Sequence, residues 1–414
     1  MRAVIATPTT PRYLWTAAAG RVRGGAGWGP GGILQLADDL PAPSLPAGPG
    51  WVRLKPELSG ICGSDLGLAH ARISFVLSAI YRSDRMIPGH ESVAVVTETG
   101  PRSRLRVGDR VVVDPLMPCA VKGFDPVCAT CAAGQPHLCE RFDEAGPVVP
   151  CVAPAIGFTD VVGGGWGQEM VAHDSHCYEV GQLPSRRAVL AEPASIGLHA
   201  ALRWRRTGDR VVVIGPGTIG LLVTAALRML HPDLDIAVVS PGEFGAAKAM
   251  AAGADRTLPA GAAAVQQLAD SDGGRVLRPR MTRIPVLEHG VDAVFDCVGH
   301  SDTIDLGLHI LRPRGTLILV GAAGRQNADW SLVWHRELQV VGTVFYGPEP
   351  DLGRSTFAQV REWLSDPGYR VDGLVTHIAD LDDWTQALTT ASSGPAAGAV
   401  KVTLRPNPDL PLVE

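Results

Sequence analysis

Residues 211–220 read VVVIGPGTIG, a short apolar run followed by a G-x-G-x-x-G pattern. When this pattern joins a strand to a helix it is typical of dinucleotide binding. Its first glycine allows a tight turn, the second lets the backbone approach a pyrophosphate, and the third lets the helix pack closely on the strand. The diphosphate would lie on free N–H groups at the helix N-terminus, where the helix dipole favours negative charge. The predicted cofactor-binding residues are Gly215, Gly217, Thr218, Ile219 and Gly220.

The same rhythm continues on the C-terminal side of this stretch. Further apolar runs follow at residues 236–239, 293–296, 316–320 and 338–341, and helical patterns separate several of them. Strands that are apolar throughout and alternate with helices are typical of a parallel sheet covered on both faces. The sequence therefore predicts a doubly wound α/β domain.

Short β-like runs broken by glycine and proline fill the chain before about residue 190. Within them, the glycine-rich residues 16–32 predict an inserted loop. We therefore expect three parts: a β-rich catalytic domain over 1–192, the dinucleotide-binding domain over 193–347, and a C-terminal return to the first domain over 348–414.

The identity of the nicotinamide cofactor depends on the end of the second strand. An acidic residue there would hold the adenosine ribose of NAD, but this sequence has Ser240. Without a carboxylate at this position, nothing there repels the 2′-phosphate of NADP. No arginine follows closely, however, and Lys248 is the first basic residue after Ser240. The sequence favours NADP over NAD.

Composition excludes several classes of protein. With 46% hydrophobic and 19% charged residues, the 414-residue chain has ample material for a core and is not of the disordered type. A net charge of −5 without long like-charge runs predicts no nucleic-acid or membrane partner. There is no apolar stretch long enough for a membrane span, and Pro8 and Pro11 interrupt any signal-peptide core. We expect a soluble, cytoplasmic protein.

Two motifs offer ligands for a catalytic metal. GICGSD at residues 60–65 supplies Cys62, and PGHE at residues 88–91 supplies His90. Zinc with three protein ligands and one open position acts as a Lewis acid, which suits hydride chemistry on an alcohol or ketone. Either Glu91 or Glu192 could be the third ligand. Two further candidate catalytic residues are Asp65, which could orient the second nitrogen of His90, and Ser64.

Four of the eight cysteines fall within 21 residues. In a chain without a secretion signal this clustering favours a metal over disulfides, and four thiolates match a closed, structural zinc site. Cys128-x₂-Cys131 is the firmest part, and Cys151 is an alternative to the first ligand. The predicted structural ligands are Cys119, Cys128, Cys131 and Cys139.

Taken in order, these motifs resemble the zinc-containing medium-chain alcohol dehydrogenase superfamily, and its sorbitol and threonine dehydrogenase branch in particular. The resemblance extends over nearly the whole chain and includes AEPASIGLHA at residues 191–200. It implies a GroES-like domain interrupted by a Rossmann domain, with the active site in the cleft between them. It also implies a homodimer or homotetramer, formed through the edge of the Rossmann sheet near residues 316–345, and Glu192 on or near the zinc.

The sequence departs from this family at three places. The family's proton relay often passes from the position of Ser64 to a histidine, but this chain has Gly67 there, so that the proton would leave through water or another group such as His70. The structural-zinc loop is longer than the family's, with six extra residues before Cys128. Residues 71–86 are also longer and more apolar than is common, and could either line a hydrophobic pocket or pack as a surface helix.

We therefore expect a zinc-dependent oxidoreductase that transfers a hydride between NAD(P)(H) and an alcohol or carbonyl substrate, which the apolar 71–86 segment suggests is bulky and hydrophobic. Two alternatives stay open at this point. One is a zinc-independent enoyl or quinone reductase on the same fold, and the other is a dinucleotide-binding regulator without catalytic activity.

Overall fold

The computed structural model describes residues Met1–Val22 and Gly25–Glu414. Its strands are β1 (Ala3–Ala6), β2 (Leu34–Ala37), β3 (Trp51–Gly60), β4 (Ser92–Thr99), β5 (Arg110–Val113), β6 (Met170–His173), β7 (Cys177–Glu179), β8 (Arg210–Ile214), β9 (Asp235–Val239), β10 (Arg256–Leu258), β11 (Val276–Leu277), β12 (Val286–Leu287), β13 (Val291–Asp296), β14 (Leu311–Leu319), β15 (Gln339–Gly342), β16 (Pro348–Glu349), β17 (Arg354–Ser355), β18 (Val375–Asp380) and β19 (Lys401–Arg405).

The α-helices are α1 (Thr10–Ala19), α2 (Gly63–Ala69), α3 (Cys119–Lys122), α4 (Ala129–Ala132), α5 (Ser185–Ala188), α6 (Ala191–Leu202), α7 (Thr218–Leu230), α8 (Glu243–Ala252), α9 (Ala262–Asp272), α10 (Ser301–Ile310), α11 (Ser331–His335), α12 (Thr356–Trp363) and α13 (Trp384–Ser393). Short 3₁₀ turns lie at Ala26–Trp28, Phe75–Ala79, Pro136–Leu138, Asp174–His176, Pro350–Leu352, Leu381–Asp383 and Gly394–Ala397.

The chain divides into two compact units. Unit 1 consists of Met1–Glu192, Gly347–Ser365 and Val375–Glu414, and unit 2 consists of Pro193–Tyr346 and Asp366–Leu374. The C-terminal segment predicted as one return to the first domain is thus shared, because its residues Asp366–Leu374 cluster with unit 2.

Unit 1 is built on a seven-stranded sheet in the order β18-β19-β3-β4-β5-β7, with β6 paired to β3. The β18–β19 pair is parallel and the other pairs are antiparallel. Two clusters of buried apolar side chains pack in this unit, one of them around Trp51 and the other around Trp166. The sheet places the end of β3 and the start of β4 side by side, and the candidate active site lies at this point.

Unit 2 contains a six-stranded sheet in the order β10-β9-β8-β13-β14-β15, in which every neighbouring pair is parallel. Its strands β8, β9, β13, β14 and β15 overlap the apolar runs of the sequence, because strands buried on both faces are apolar throughout. This confirms the predicted doubly wound α/β architecture.

The inserted loop predicted over residues 16–32 is only partly a loop. Helix α1 continues to Ala19, and Ala26–Trp28 form a 3₁₀ turn in which Ala26 and Gly27 are buried. Residues 23 and 24 lie outside the described residues. Glycine content indicated a break in regular structure here, but alanines 17–19 extend a helix that begins next to Pro11.

Among the described residues, no helix combines the length and the apolar character that crossing a membrane requires.

Candidate active site and metal centres

Three predicted zinc ligands converge at the junction of β3 and β4. One donor atom each from Cys62, His90 and Glu91 all lie within 4.8 Å of one another. Cys62 lies two residues after the end of β3, and His90 and Glu91 directly precede β4. Since these strands are antiparallel neighbours with Ser59 opposite Ser92, the end of one meets the start of the other. The register of the sheet therefore assembles the donor set.

Two glycines make room for this arrangement. Gly89 has a left-handed backbone with φ of 92°, and an added Cβ there would lie 2.5 Å from Trp166 Cδ1. At the end of β3, an added Cβ on Gly60 would lie 1.8 Å from Glu91 Oε2. Larger residues at either position would displace a candidate ligand or its neighbours.

Asp65 lies next to both Cys62 and His90. Its Oδ2 atom accepts a hydrogen bond of 2.9 Å from the backbone N–H of Cys62, which caps helix α2. Its Oδ1 atom is 3.8 Å from His90 Nδ1, a distance for an ion pair and not for a hydrogen bond. His90 Nδ1 is buried and has no hydrogen-bond partner among the described residues. The structure thus places Asp65 beside this nitrogen without a direct hydrogen bond.

Lys401 is a member of this site that the sequence analysis missed. Its Nζ atom donates to both carboxylate oxygens of Glu91, at 2.7 and 2.6 Å, and to the carbonyl oxygen of Ile61 at 3.1 Å. Both charged side chains are almost completely buried, at 3% and 1% exposure. A signal was present, because Lys401 is the single charge in the apolar run of residues 399–404.

Glu192 lies close enough to influence the same groups electrostatically. It is buried in the first turn of helix α6, and burial raises its pKa well above the usual value. The charge of His90 opposes this shift, while the charge of Glu91 adds to it. Glu192 is not among the three residues whose donors lie within 4.8 Å of one another. No hydrogen bond to its carboxyl group is present among the described residues.

The charges of this buried cluster do not balance without a cation. Burial, and next the charge of Glu91, raise the pKa of the Cys62 thiol to about 12. Burial likewise raises the pKa of Asp65. Within the described parts of the chain, Lys401 is the one fixed positive charge that acts on these acidic groups and on Glu192. A divalent cation would supply the missing charge, and its binding would deprotonate the thiol. The residues present therefore fit a zinc ion.

The two residues considered for proton release have different surroundings. Ser64 Oγ is buried and has no partner that meets hydrogen-bond geometry among the described residues. His70 Nε2 lies 3.0 Å from Ser392 Oγ, and its ring contacts the ring of Trp28 edge-on. Burial lowers the pKa of His70. The side chains that contact His70 are therefore those of Trp28 and Ser392.

The apolar segment over residues 71–86 turns most of its apolar side chains outward. Phe75, Val76, Leu77 and Ile80 are exposed, and the 3₁₀ turn Phe75–Ala79 has no buried residue. Met86 is buried and Ile73 packs against the core, while the ring of Tyr81 packs against Phe158. A bulky, hydrophobic substrate stays a prediction from the sequence.

All four cysteines of the predicted structural site come together. One sulfur each from Cys119, Cys128, Cys131 and Cys139 lies within 4.8 Å of the others. The Sγ atoms of Cys119 and Cys139 are 3.5 Å apart, and those of Cys128 and Cys139 are 3.9 Å apart. A tetrahedron with zinc–sulfur distances of ~2.3 Å has edges of about 3.8 Å. The cluster therefore has the size of a Cys₄ zinc site, and Cys151 is not part of it.

Protein groups favour the thiolate form at Cys128, whereas burial raises the pKa of Cys131 and Cys139. The backbone N–H of Cys128 donates to Cys119 Sγ and that of Arg141 to Cys139 Sγ, both at 3.4 Å. Although burial opposes it, the hydrogen bonds of Cys128 to Thr130 and to backbone groups lower its pKa to about 6. Thiolates are the form that binds zinc.

Lys122 is completely buried next to these cysteines. Its Nζ atom donates to three carbonyl oxygens, those of Phe142 at 2.8 Å, Glu144 at 3.1 Å and Arg141 at 3.4 Å. These carbonyls belong to the loop that follows Cys139. A Zn²⁺ ion with four thiolates would carry a net charge of about −2, so a buried ammonium group beside it also balances charge.

The glycine-rich turn in unit 2 is shaped for a diphosphate. Gly215 has a φ of 100°, and an added Cβ on Gly220 would lie 1.9 Å from the carbonyl oxygen of Gly215. An added Cβ on Gly217 would meet no atom within 4 Å, so the backbone is open there. Gly217 is the N-cap of helix α7, which begins with Thr218 and Ile219. The turn fits the diphosphate of a dinucleotide.

Ser240 follows the end of β9 and is nearly buried. Its hydroxyl donates to the carbonyl oxygen of Gly242 at 2.8 Å. Lys248 Nζ donates to the carbonyl oxygen of Gly373 at 2.8 Å, so no carboxylate neutralises its charge in this contact. The first carboxylate after β9 belongs to Glu243, in the first turn of helix α8.

Two family models match the chain. "Alcohol dehydrogenase GroES-like domain" matches residues 48–182, and "Zinc-binding dehydrogenase" matches residues 218–366. Together the two matches span more than half of the 414 residues. The first contains the Cys-His-Glu set and the cysteine cluster, and the second contains most of the parallel sheet. A GroES-like unit with these donors and a dinucleotide-binding sheet together define a zinc-dependent dehydrogenase.

Individual relatives agree with this class. The chain is 28% identical to erythritol/L-threitol dehydrogenase of Mycolicibacterium smegmatis, over 86% of this chain and 91% of the relative. It is also 28% identical to the probable D-xylulose reductase A of Aspergillus clavatus, over 88% and 92%. Among solved structures, galactitol-1-phosphate dehydrogenase from Escherichia coli matches with a TM-score of 0.69 at 20% identity, over 98% and 100%.

The chain belongs to the zinc-dependent medium-chain alcohol dehydrogenase superfamily, in its sorbitol and threonine dehydrogenase-like branch. It is an enzyme, a zinc oxidoreductase that uses NAD(P) and acts on alcohol substrates. This confirms the family, fold class and activity predicted from the sequence.

The contacts of Lys122 give a test of the cysteine cluster. Lys122→Met keeps the side-chain volume but leaves one buried and two partly buried carbonyls without this donor. We expect the free energy of unfolding to fall by about 3 kcal/mol, because buried groups lose both hydrogen bonds and charge balance. We also expect the zinc content to fall towards one ion per chain from the two that the two donor clusters allow. Denaturant titration and elemental analysis measure the two effects.

Lys55→Met is the matched control, since Lys55 lies half-buried on β3 and is not part of either donor cluster. It should keep the wild-type zinc content. A Lys122→Met variant with wild-type zinc content and stability would show that the ammonium group does not support the cluster.

Proposed function

We propose that this enzyme interconverts a polyol and the corresponding hydroxy ketone, with a catalytic zinc held by Cys62, His90 and Glu91. The convergence of these three donors at the β3–β4 junction is the observation that carries the assignment. The polyol class is supported by the curated relatives, which are named for erythritol, L-threitol and D-xylulose.

Glu91 is the better candidate for the third ligand. Its donor atom lies with those of Cys62 and His90, while Glu192 lies outside this set. Lys401 fixes the orientation of the Glu91 carboxylate through two short hydrogen bonds. Glu192 lies close enough for the charges of His90, Glu91 and Cys62 to affect its pKa.

Different residues of the chain have different roles in catalysis. When bound, zinc polarises the substrate oxygen as a Lewis acid, and the nicotinamide ring exchanges the hydride. Asp65 fixes the backbone at Cys62 and places a negative charge beside His90, which favours a strongly donating imidazole. The buried Ser64 hydroxyl has capacity to accept and pass on the proton of the substrate hydroxyl. The turn at Gly215, Gly217 and Gly220 binds the cofactor diphosphate.

The second metal site has a structural role in this proposal. Cys119, Cys128, Cys131 and Cys139 hold a zinc with four protein ligands, which leaves no position for a substrate. Such a site stabilises the loop that carries it.

We further propose that NADP is the preferred cofactor. The support is Ser240, which puts a hydroxyl in place of the carboxylate that would repel a 2′-phosphate. Lys248 adds a positive charge on helix α8 that no carboxylate neutralises in its contact with Gly373.

The edge of the parallel sheet supports a homodimer or homotetramer. Strand β15 is the outermost strand, and its side chains are mostly exposed. Four large apolar side chains near this edge are also exposed, namely Trp330, Trp334, Val340 and Val344. An unprotected edge strand with apolar neighbours is suited to pairing with the same strand of a second copy around a two-fold axis.

A cytoplasmic location is supported by the cysteines. All eight lie in the described part of the chain and none forms a disulfide. Free thiols and thiolate metal sites are typical of a reducing compartment.

Removing a catalytic ligand tests the zinc assignment. We expect Cys62→Ser and His90→Ala each to lower kcat/KM at least about 1,000-fold, because the Lewis acid is lost. Each variant should lose one zinc ion per chain and still bind the dinucleotide with wild-type affinity, as measured by elemental analysis and by fluorescence titration. Cys177→Ser, a buried cysteine outside both clusters, is the control.

The two glutamates distinguish the ligand set. Glu91→Gln should lose the same zinc ion, and Glu192→Gln should retain it. Loss of zinc from Glu192→Gln alone would make Glu192 the third ligand. Full turnover in metal-free wild-type protein would instead support a zinc-independent reductase.

Cofactor choice can be tested at Ser240. We expect the wild type to bind NADPH more tightly than NADH, and Ser240→Asp to weaken NADPH binding about 10-fold or more, because a carboxylate repels the 2′-phosphate. Fluorescence titration with each cofactor measures both affinities. Glu243→Gln is the matched control and should change little. Tighter NADH binding by the wild type, lost in Glu243→Gln, would reverse the assignment and identify the Glu243 carboxylate as the ribose ligand.

The proposed interface at the edge of the sheet can be tested by introducing a charged side chain there. Val340→Lys places a lysine on β15, and we expect it to shift the protein from a mass of two or four chains to the single 43.5-kDa chain. Light scattering after gel filtration measures the mass. Met281→Lys, at a fully exposed methionine in the same unit, is the control and should keep the wild-type mass. An unchanged mass for Val340→Lys would place the interface elsewhere.

A further inference from the structure

Tyr81 occupies a special position within the exposed segment over residues 71–86. Tyr81 lies just after the 3₁₀ turn Phe75–Ala79. Its backbone N–H donates to the carbonyl oxygen of Leu77 at 2.9 Å. While Phe75 and Val76 in the turn are exposed, the Tyr81 side chain is half-buried and directed towards the aromatic residue Phe158. The segment therefore presents one aromatic side chain inward.

The contacts of Tyr81 lead through Phe158 to one of the candidate metal ligands. Its ring centroid is 5.0 Å from that of Phe158, and the Phe158 ring in turn stacks on His90 at 5.2 Å. Tyr81 and Phe158 thus form an aromatic wall that reaches His90, one of the three candidate zinc ligands.

The Tyr81 hydroxyl makes no hydrogen bond to protein within the described residues. A phenol combines an apolar ring with a polar end, and a hydroxyl next to a ligand site usually finds a partner. The Phe158 side of the wall offers none, because phenylalanine has no donor or acceptor. A hydroxylated substrate would supply the partner.

The position of Tyr81 is held from both ends of the segment. On the C-terminal side, Arg82 pairs with Asp143 at 3.6 Å and Arg85 with Asp160 at 3.7 Å. On the N-terminal side, the Tyr13 hydroxyl donates to the carbonyl oxygen of Ile73 at 2.7 Å. A phenol held in this way is preorganised to bind a ligand, because less conformational freedom is lost on binding.

From this geometry we infer that Tyr81 is a specificity-determining residue, whose hydroxyl hydrogen-bonds a hydroxyl group next to the reacting carbon of the substrate. The inference rests on the proposed function and extends it, because it gives a structural reason why a polyol is preferred over a simple alcohol. It also assigns opposite roles to the two faces of the 71–86 segment. Phe75, Val76, Leu77 and Ile80 are exposed, while the Tyr81 ring packs against Phe158 on the side of the site.

Two four-carbon alcohols test this inference. In erythritol both carbons next to the reacting carbon carry a hydroxyl. In 2-butanol neither neighbouring carbon carries one. We expect Tyr81→Phe to lower kcat/KM for erythritol about 5- to 10-fold, the usual effect of one lost neutral hydrogen bond, mainly through KM. The same variant should change kcat/KM for 2-butanol less than about 2-fold, and its zinc content should stay at the wild-type level. Tyr178→Phe removes a phenol hydroxyl that contacts Ser355, and as the control it should change neither substrate.

A binding measurement separates this inference from the proposed function. Calorimetric titration of erythritol into enzyme saturated with the dinucleotide does not require turnover. If the wild type oxidises neither alcohol, the proposed function fails, yet weaker erythritol binding by Tyr81→Phe would still support the role of the hydroxyl. Equal binding by wild type and Tyr81→Phe, no erythritol binding by the wild type, or an equal loss of activity on both alcohols would overturn the inference.

Discussion

Unit 1 buries more acidic groups around one point than its own cations can neutralise. Cys62, Asp65, Glu91 and Glu192 lie close enough to influence one another, while Lys401 is the one lysine among them. Isolated buried charges are very unfavourable, so groups of this kind either take up protons or share a cation. The arrangement consequently fits a metal site by electrostatics as well as by ligand type. Lys401 fixes one carboxylate, and a divalent cation would neutralise the remaining negative charge.

The two clusters of candidate metal ligands differ in the number of donors and therefore in the role that each is suited to. The four cysteines supply every ligand themselves, and backbone N–H groups and the ammonium group of Lys122 support them. The Cys-His-Glu set has only three donors, and its surroundings include an unpartnered serine hydroxyl and an aromatic wall. A closed set is suited to stability, while an incomplete one is suited to chemistry.

The motifs that the sequence could predict are those whose residues are local in the chain. The turn at Gly215–Gly220 and the spacing of Cys128 and Cys131 constrain structure within a few residues, so they predicted the dinucleotide site and the cysteine cluster. The families matched by the chain confirm the fold and the activity. Lys401 was missed because its partner is 310 residues away, and only the pairing of β19 with β3 brings the two together. Tyr81 was missed because residue composition does not tell which side chain of an apolar segment turns inward.

The pairing of Glu91 with Lys401 also bears on how the enzyme is made. Ribosomes synthesise the carboxylate 310 residues before its ammonium partner, with all of unit 2 in between. Until β19 joins the sheet, the nascent first segment contains the ligands but lacks the group that orients one of them. Contacts over such sequence distances form late and slowly. The orientation of the Glu91 carboxylate by Lys401 is therefore complete only once β19 has joined the sheet.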